Sequence, residues 1–292
     1  MGPKSARSLD EWYKLINQIY IDRNFERHPA TVYSHLVEVV SGLSLLATDK
    51  KKRGVTPENF IPKAFAWWLA LCGKLGIRSV EDMIWAKFPA ICPYCKKGNP
   101  HHPDCQIIKA ADPYPHWTEL KDIADKTYSK KPKTFKDWQL MFFEIYGSSQ
   151  GESYDKVFSR LNEELGELAE AVRAFELAPG LFFSEAPDVF AWLMKVQNVL
   201  DSKNHVPIDK RGIFISEYFE RQYPDRCLEC KKMICRCPSI LPSSLRRIAK
   251  EAPEATGIFN GRGPLLRQDE IQKLFELGET ELHYGGQSVP VD

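Results

Sequence analysis

The chain contains the same helical unit twice. Residues 34–71, beginning SHLVEVVSGL and ending AFAWWLAL, lie on residues 159–196, beginning SRLNEELGEL and ending VFAWLMKV, at a constant offset of 125 and with no gap. Upstream, Trp12 and Tyr20 answer Trp138 and Tyr146 at an offset of 126. Downstream, Phe88-Pro89, Cys92, Cys95, Lys96 and Lys97 answer Tyr223-Pro224, Cys227, Cys230, Lys231 and Lys232 at an offset of 135, so the second copy has gained ten residues around Asn204 to Gly212. A duplicated unit narrows the fold sharply, because each copy must take the same shape and each can bury its apolar face against the other.

Each copy reads as helix, helix, helix, short helix and cysteine knuckle. The expected class is all-α, with a first repeat over 1–108, a linker over 109–133, a second repeat over 134–238 and a C-terminal extension over 239–292. The linker carries Pro113, Pro115 and Lys130-Lys131-Pro132-Lys133, a composition that favours a connector. The extension has helical signals at 243–250 and 268–277. In the second copy Val157, Phe158, Leu161, Leu165, Leu168, Val172 and Phe175 recur at three- and four-residue spacing, which predicts an amphipathic helix with a narrow seam. Pro179-Gly180 is expected to stop it. Ser184 is then the expected N-cap of the next helix, with Pro187 in its first turn and Pro62 at the matching place in the first copy.

Composition removes several function classes. The chain has 292 residues, 43% of them hydrophobic, with 40 basic and 39 acidic residues and a formal charge of +1. That is enough apolar content for real cores, and no global field draws the molecule to nucleic acid or an anionic membrane. The N-terminal ten residues lack an apolar h-region and no stretch approaches 18 uncharged apolar residues, so the reading is a soluble, cytoplasmic protein with no membrane partner. In that setting closely spaced cysteines point to metal more than to disulfides.

Two acidic pairs stand out in the second copy. Glu164 and Glu167 are three residues apart on the predicted amphipathic helix, and Glu185 and Asp188 are three apart on the next, so each pair shares a face. At 100° per residue Glu164 sits beside the apolar seam. Four carboxylates brought together repel, and a hard divalent cation with oxygen ligands relieves that repulsion. A solvated acidic surface is the plainer account of such a run. Against it stand the seam position of Glu164 and the second pair at the right place on the neighbouring helix. Glu163 and Glu170 point further away.

This arrangement, Glu164-Leu-Gly-Glu167 followed by Glu185-Ala-Pro-Asp188, resembles the ExxE…ExxD signature of the MazG-like all-α nucleoside triphosphate pyrophosphohydrolases over roughly 138–200. The resemblance implies a tandem duplicated helical bundle, an intramolecular pseudo-dimer. Mg²⁺ or Mn²⁺ would be held by Glu164, Glu167, Glu185 and Asp188, and a nucleoside triphosphate cleaved to monophosphate and pyrophosphate. The first copy has Val39, Gly42, Phe60 and Lys63 at those positions and is expected to be a catalytically dead partner that completes the fold and walls the pocket. Family members usually assemble from several subunits, which leaves a homo-oligomer open.

The expected chemistry follows from charge: cations bridging phosphate oxygens stabilise the transition state and activate a water, whose proton passes to Glu163 or Glu164. Lys195, seven residues after Asp188 on the same face, could contact a phosphate or simply snorkel. Arg160 and Lys63 are weaker candidates of that kind. Trp192 could stack on a base, but Trp67 at the matching position makes core packing the better account.

Cys227, Cys230, Cys235 and Cys237 give CxxC-x4-CxC, the ligand set of a closed structural zinc site. In the first copy Cys92, Cys95 and Cys105 supply three ligands with His101 or His102 as the fourth, which predicts about two zinc ions per chain. Cys72 reads as a core residue. The Lys-Lys pairs after both knuckles also suit nucleic-acid binders. They support an alternative, disfavoured by the balanced charge, in which the chain is a non-catalytic zinc-containing module binding nucleic acid, protein or nucleotide.

Overall fold

The computed structural model describes residues 6–46, 56–97, 117–146, 153–227 and 230–237, with the backbone of 281–284 and 287–290. The chain divides into a unit of residues 1–236 and a second unit from Cys237 onward. Among the described residues the first unit is all-α. Its helices are α1 (Leu9–Ile19), α2 (Ile21–Phe25), α3 (Pro29–Leu43), α4 (Pro57–Lys74), α5 (Val80–Lys87), α6 (Trp117–Lys126), α7 (Phe135–Tyr146), α8 (Tyr154–Arg173), α9 (Pro179–Lys203) and α10 (Ile213–Gln222). None of these is long and apolar enough to cross a membrane.

The duplication is visible in the packing. α1, α3, α4 and α5 correspond to α7, α8, α9 and α10. Within a copy, α3 packs along α4 and α8 along α9, and α1 and α7 pack on α4 and α9. The copies then exchange their short helices, since α5 lies against α9 and α10 against α4. The equivalent pairs α3 with α8 and α4 with α9 meet across the centre. Equivalent residues touch there: the rings of Phe65 and Phe190 are 5.3 Å apart and edge-on, a favourable aromatic geometry. Ser8 pairs with its own counterpart Thr134 in an isolated antiparallel bridge.

Local signals are also written twice. Ser8 and Glu11 form a capping box at the start of α1, and Thr134 and Asp137 exchange the same reciprocal bonds before α7. Trp12, Trp68, Trp85 and Trp138 lie with Phe65 and Phe190 in one continuous core drawn from both copies. α6 adds to it by burying Leu120 and Ala124 and accepting Trp85 Nε1–H at the Ala124 carbonyl, 3.0 Å away. The stretch of linker composition thus carries a packed helix. The inserted residues of the second copy make a short 3₁₀ turn, Ile208–Lys210, and end at Gly212. Gly212 has φ of 77°, and a Cβ there would come within 2.4 Å of the Lys136 backbone, so only glycine fits.

Three expectations need correction or placement. The helix expected to begin near Ser184 begins instead at Pro179, and α4 likewise begins at Pro57, because proline is pre-organised for the first helical position. Pro187 and Pro62 are therefore interior, and each removes a backbone hydrogen bond from its helix. The expected helices at 243–250 and 268–277 lie outside the described residues. What is described of the second unit is a hairpin, Glu281–Tyr284 paired antiparallel with Gln287–Pro290, which the helical reading of the extension did not include.

Candidate metal centre

α8 and α9 are joined by five residues and pack along each other. That brings Glu164, Glu167 and Glu185 together: each offers a carboxylate oxygen, and these oxygens lie within 4.8 Å of one another. Glu164 is buried, Glu185 half-buried and Glu167 exposed. The burial of Glu164 follows from its place beside the seam formed by Val157, Leu161, Leu165 and Leu168. Its carboxylate accepts Trp192 Nε1–H at 3.1 Å. Trp192 thus orients an acidic side chain, while Trp67 at the equivalent place stacks on His35 with ring centroids 4.6 Å apart.

Asp188 is treated differently. Its carboxylate receives the ammonium of Lys87, the last residue of α5, which also donates to the Ser184 carbonyl at 2.8 Å. Lys87 comes from the first copy and is 1% exposed. Sequence reasoning passed over it; the repeat register identifies Gln222 as its counterpart, but only the exchange of short helices reveals what it meets. Tyr94, in the first cysteine turn, also reaches this place. Its phenol is pushed well above the usual range by burial and then by the fields of Asp188, Glu164 and Glu185. Glu185 is pushed above the ordinary carboxylate range chiefly by burial; Lys87 opposes this, Asp188 and Glu167 add to it, and a hydrogen bond from Ser184 pulls back.

The remaining candidates fall elsewhere. Glu163 pairs with Arg160 on the exposed side of α8, and the first copy repeats this pair as Glu38 with His35. Glu163 is therefore outside the converging trio, and its pairing is that of a helical surface. Lys195 is buried on α9, two turns beyond Asp188. In the first copy the equivalent ground is filled. A Cβ on Gly42 would come within 2.1 Å of the Phe60 ring, and Lys63 Nζ stands 6.0 Å from that ring's centre. Val39 packs against the core. The glycine at the Glu167 position leaves room, and the phenylalanine at the Glu185 position takes it.

A second group is the loop of Cys227, Cys230, Cys235 and Cys237, whose sulfurs also lie within 4.8 Å of one another. It is the one four-cysteine cluster among the described residues. Its backbone turn has Lys231 N–H on the Cys227 carbonyl at 2.9 Å, Cys227 N–H on the Lys232 carbonyl at 3.0 Å, and Lys231 at φ 58°. The Cys92-Cys95 turn repeats this with Lys96 N–H on Cys92 at 2.9 Å, Cys92 N–H on Lys97 at 3.0 Å, and Lys96 at φ 57°. His101, His102 and Cys105, the expected completion of the first knuckle, lie outside the described residues. Cys72 is buried in α4, and burial pushes its thiol up, as befits a core residue.

Compared with protein families, with curated proteins and with solved structures, the chain matches none.

Proposed function

We propose that the second copy is a Mg²⁺- or Mn²⁺-dependent hydrolase that cleaves a nucleoside triphosphate to its monophosphate and pyrophosphate. The observation that carries this reading is the convergence of Glu164, Glu167 and Glu185 from two adjoining helices onto one point. The donors are all hard oxygens, which suits a small divalent cation that keeps waters in its remaining positions. When bound, that cation would neutralise phosphate charge and lower the pKa of a water. The spacing of the acidic pairs, similar to the MazG-like signature, supports the same chemistry.

The chain's own residues have distinct tasks in this reading. Trp192 holds the Glu164 carboxylate in place, and Glu164, buried within the cluster, is the better proton acceptor than the outward-facing Glu163. Lys195, on the Asp188 face of α9, is positioned to meet a phosphate. The first copy completes the fold and supplies Lys87 and Tyr94. The four-cysteine loop is a structural zinc site, for closed thiolate sets leave no position for reacting water. The equivalent turn at Cys92 and Cys95 is the start of a second.

The test is pyrophosphate release from a panel of ordinary and modified nucleoside triphosphates in the presence of Mg²⁺. At least one should be cleaved, with release abolished by chelation and by Glu167→Gln while circular dichroism is unchanged. A panel in which none yields pyrophosphate defeats the reading.

A further inference from the structure

A buried ammonium costs several kcal/mol unless it is well paired. Lys87 is 1% exposed, and the partners it finds, Asp188 and the Ser184 carbonyl, both belong to α9 of the other copy. The duplication supplies an internal control for why a lysine stands there. Its counterpart Gln222, at the end of α10, donates to the Glu58 carbonyl at 2.6 Å and to Asn59 Oδ1 at 3.4 Å. Glu58 precedes Pro62 by four residues and Ser184 precedes Pro187 by three. Gln222 thus serves the carbonyl that Pro62 leaves without its helical donor, whereas the carbonyl that Pro187 leaves so is that of Phe183, and Lys87 donates to the next one along.

In one half of the molecule the donor at this place is an uncharged amide that mends the helix. The half that uses an ammonium is the half with Asp188 at the fourth acidic position; the half that uses an amide has Lys63 there. Lys87 meets the carboxylate at that position, and mending the helix does not account for its charge. Four carboxylates carry four negative charges, and Lys87 removes one of them before any cation arrives.

Resting on the hydrolase reading above, we propose that Lys87 is a positioning residue of the second copy's metal centre: its ammonium stands where a second divalent cation would otherwise be needed, keeps Asp188 out of the ligand set, and leaves Glu164, Glu167 and Glu185 to take a single cation. The copy without acids is then a working part of the site, since it supplies this charge.

Mn²⁺ titrated into the full chain, purified without chelator and followed by the electron paramagnetic resonance of the free ion, tests this. Wild type should take up a single Mn²⁺, lost in Glu167→Gln. Lys87→Met takes the ammonium away from Asp188 and should admit a second Mn²⁺. Lys87→Met with Asp188→Asn removes both charges of the pair and should return to a single Mn²⁺, with affinity within about threefold of wild type. Exchanging a buried ion pair for neutral groups of similar size is commonly tolerated, so the double variant keeps the test decisive even where Lys87→Met misfolds. The inference is overturned by a second Mn²⁺ on wild type, by absence of Mn²⁺ uptake, or by a loss beyond about tenfold in the double variant, which would make Asp188 a ligand. Pyrophosphate release is scored separately. A single Mn²⁺ without release keeps this inference and defeats the hydrolase; release with a second Mn²⁺ on wild type does the reverse.

Discussion

Glu167 and Gly42 occupy the same place in the two copies, and their surroundings serve opposite ends. Around Glu167, oxygens from α8 and α9 converge and Trp192 orients the most buried of them. Around Gly42, the absent side chain admits the Phe60 ring, and Trp67 has turned to stack on His35. The ground that carboxylates occupy in the second copy is taken in the first by an aromatic ring. The rest of the helical frame, including the capping boxes and the interior prolines, is the same on both sides. Around the acidic trio, what separates the copies is a handful of side chains on one helix pair.

Four substitutions and conditions would break or sharpen that contrast. The largest expected effect is on turnover: Glu167→Gln should lower pyrophosphate release by at least about 100-fold, while Glu38→Gln, on the surface of the first copy, leaves it within about twofold. A loss under tenfold at Glu167 would dissolve the distinction between the copies. Next, Gly42→Glu should cost about 1–3 kcal/mol in urea denaturation, because its Cβ must unseat the Phe60 ring. With Phe60→Glu added, the combined loss should fall short of the sum of the two singles, since removing the ring also removes the clash. Strict additivity would mean the ring does not fill that ground.

Trp192→Phe removes one donor to Glu164 and should cost about 1 kcal/mol, read as roughly fivefold weaker Mn²⁺ binding. Trp67→Phe should leave Mn²⁺ binding alone, and equal effects would deny Trp192 its special task. The smallest effect is on pH dependence. Burial raises the Glu185 pKa in the folded chain, so the folded state holds that proton more tightly than the unfolded state does. The associated stability is present below the ordinary carboxylate range and is lost as pH rises through the raised value. Mg²⁺ should therefore raise the melting temperature more at about pH 7 than at about pH 5, where protons compete for the same oxygens. An equal shift at both would place the cation elsewhere.

Much of this was legible in the residues. The register of the repeat foretold which helices correspond, and the position of Glu164 beside a periodic seam accords with its burial. The CxxC spacing foretold a tight sulfur cluster, since four ligands within eleven residues need only a local turn. The start of α9 was misjudged because proline is acceptable both at a first helical position and, with outside help, in an interior one. At Pro62 that help is Gln222, which donates to the Glu58 carbonyl. The helical signals at 243–250 and 268–277 lie outside the hairpin at 281–290 and carry no information about it.

The sequence by itself determined the helical class, the doubling and the residue make-up of each cluster, because those depend on spacings of a few residues that any helix or turn must honour. Only the tertiary structure decided that Asp188 goes to Lys87 and that a ring stands over Gly42. The first of these contacts joins residues 101 positions apart, and it exists because the copies exchange their short helices. No local spacing encodes that exchange; the need of two incomplete halves to bury their apolar faces in one core does.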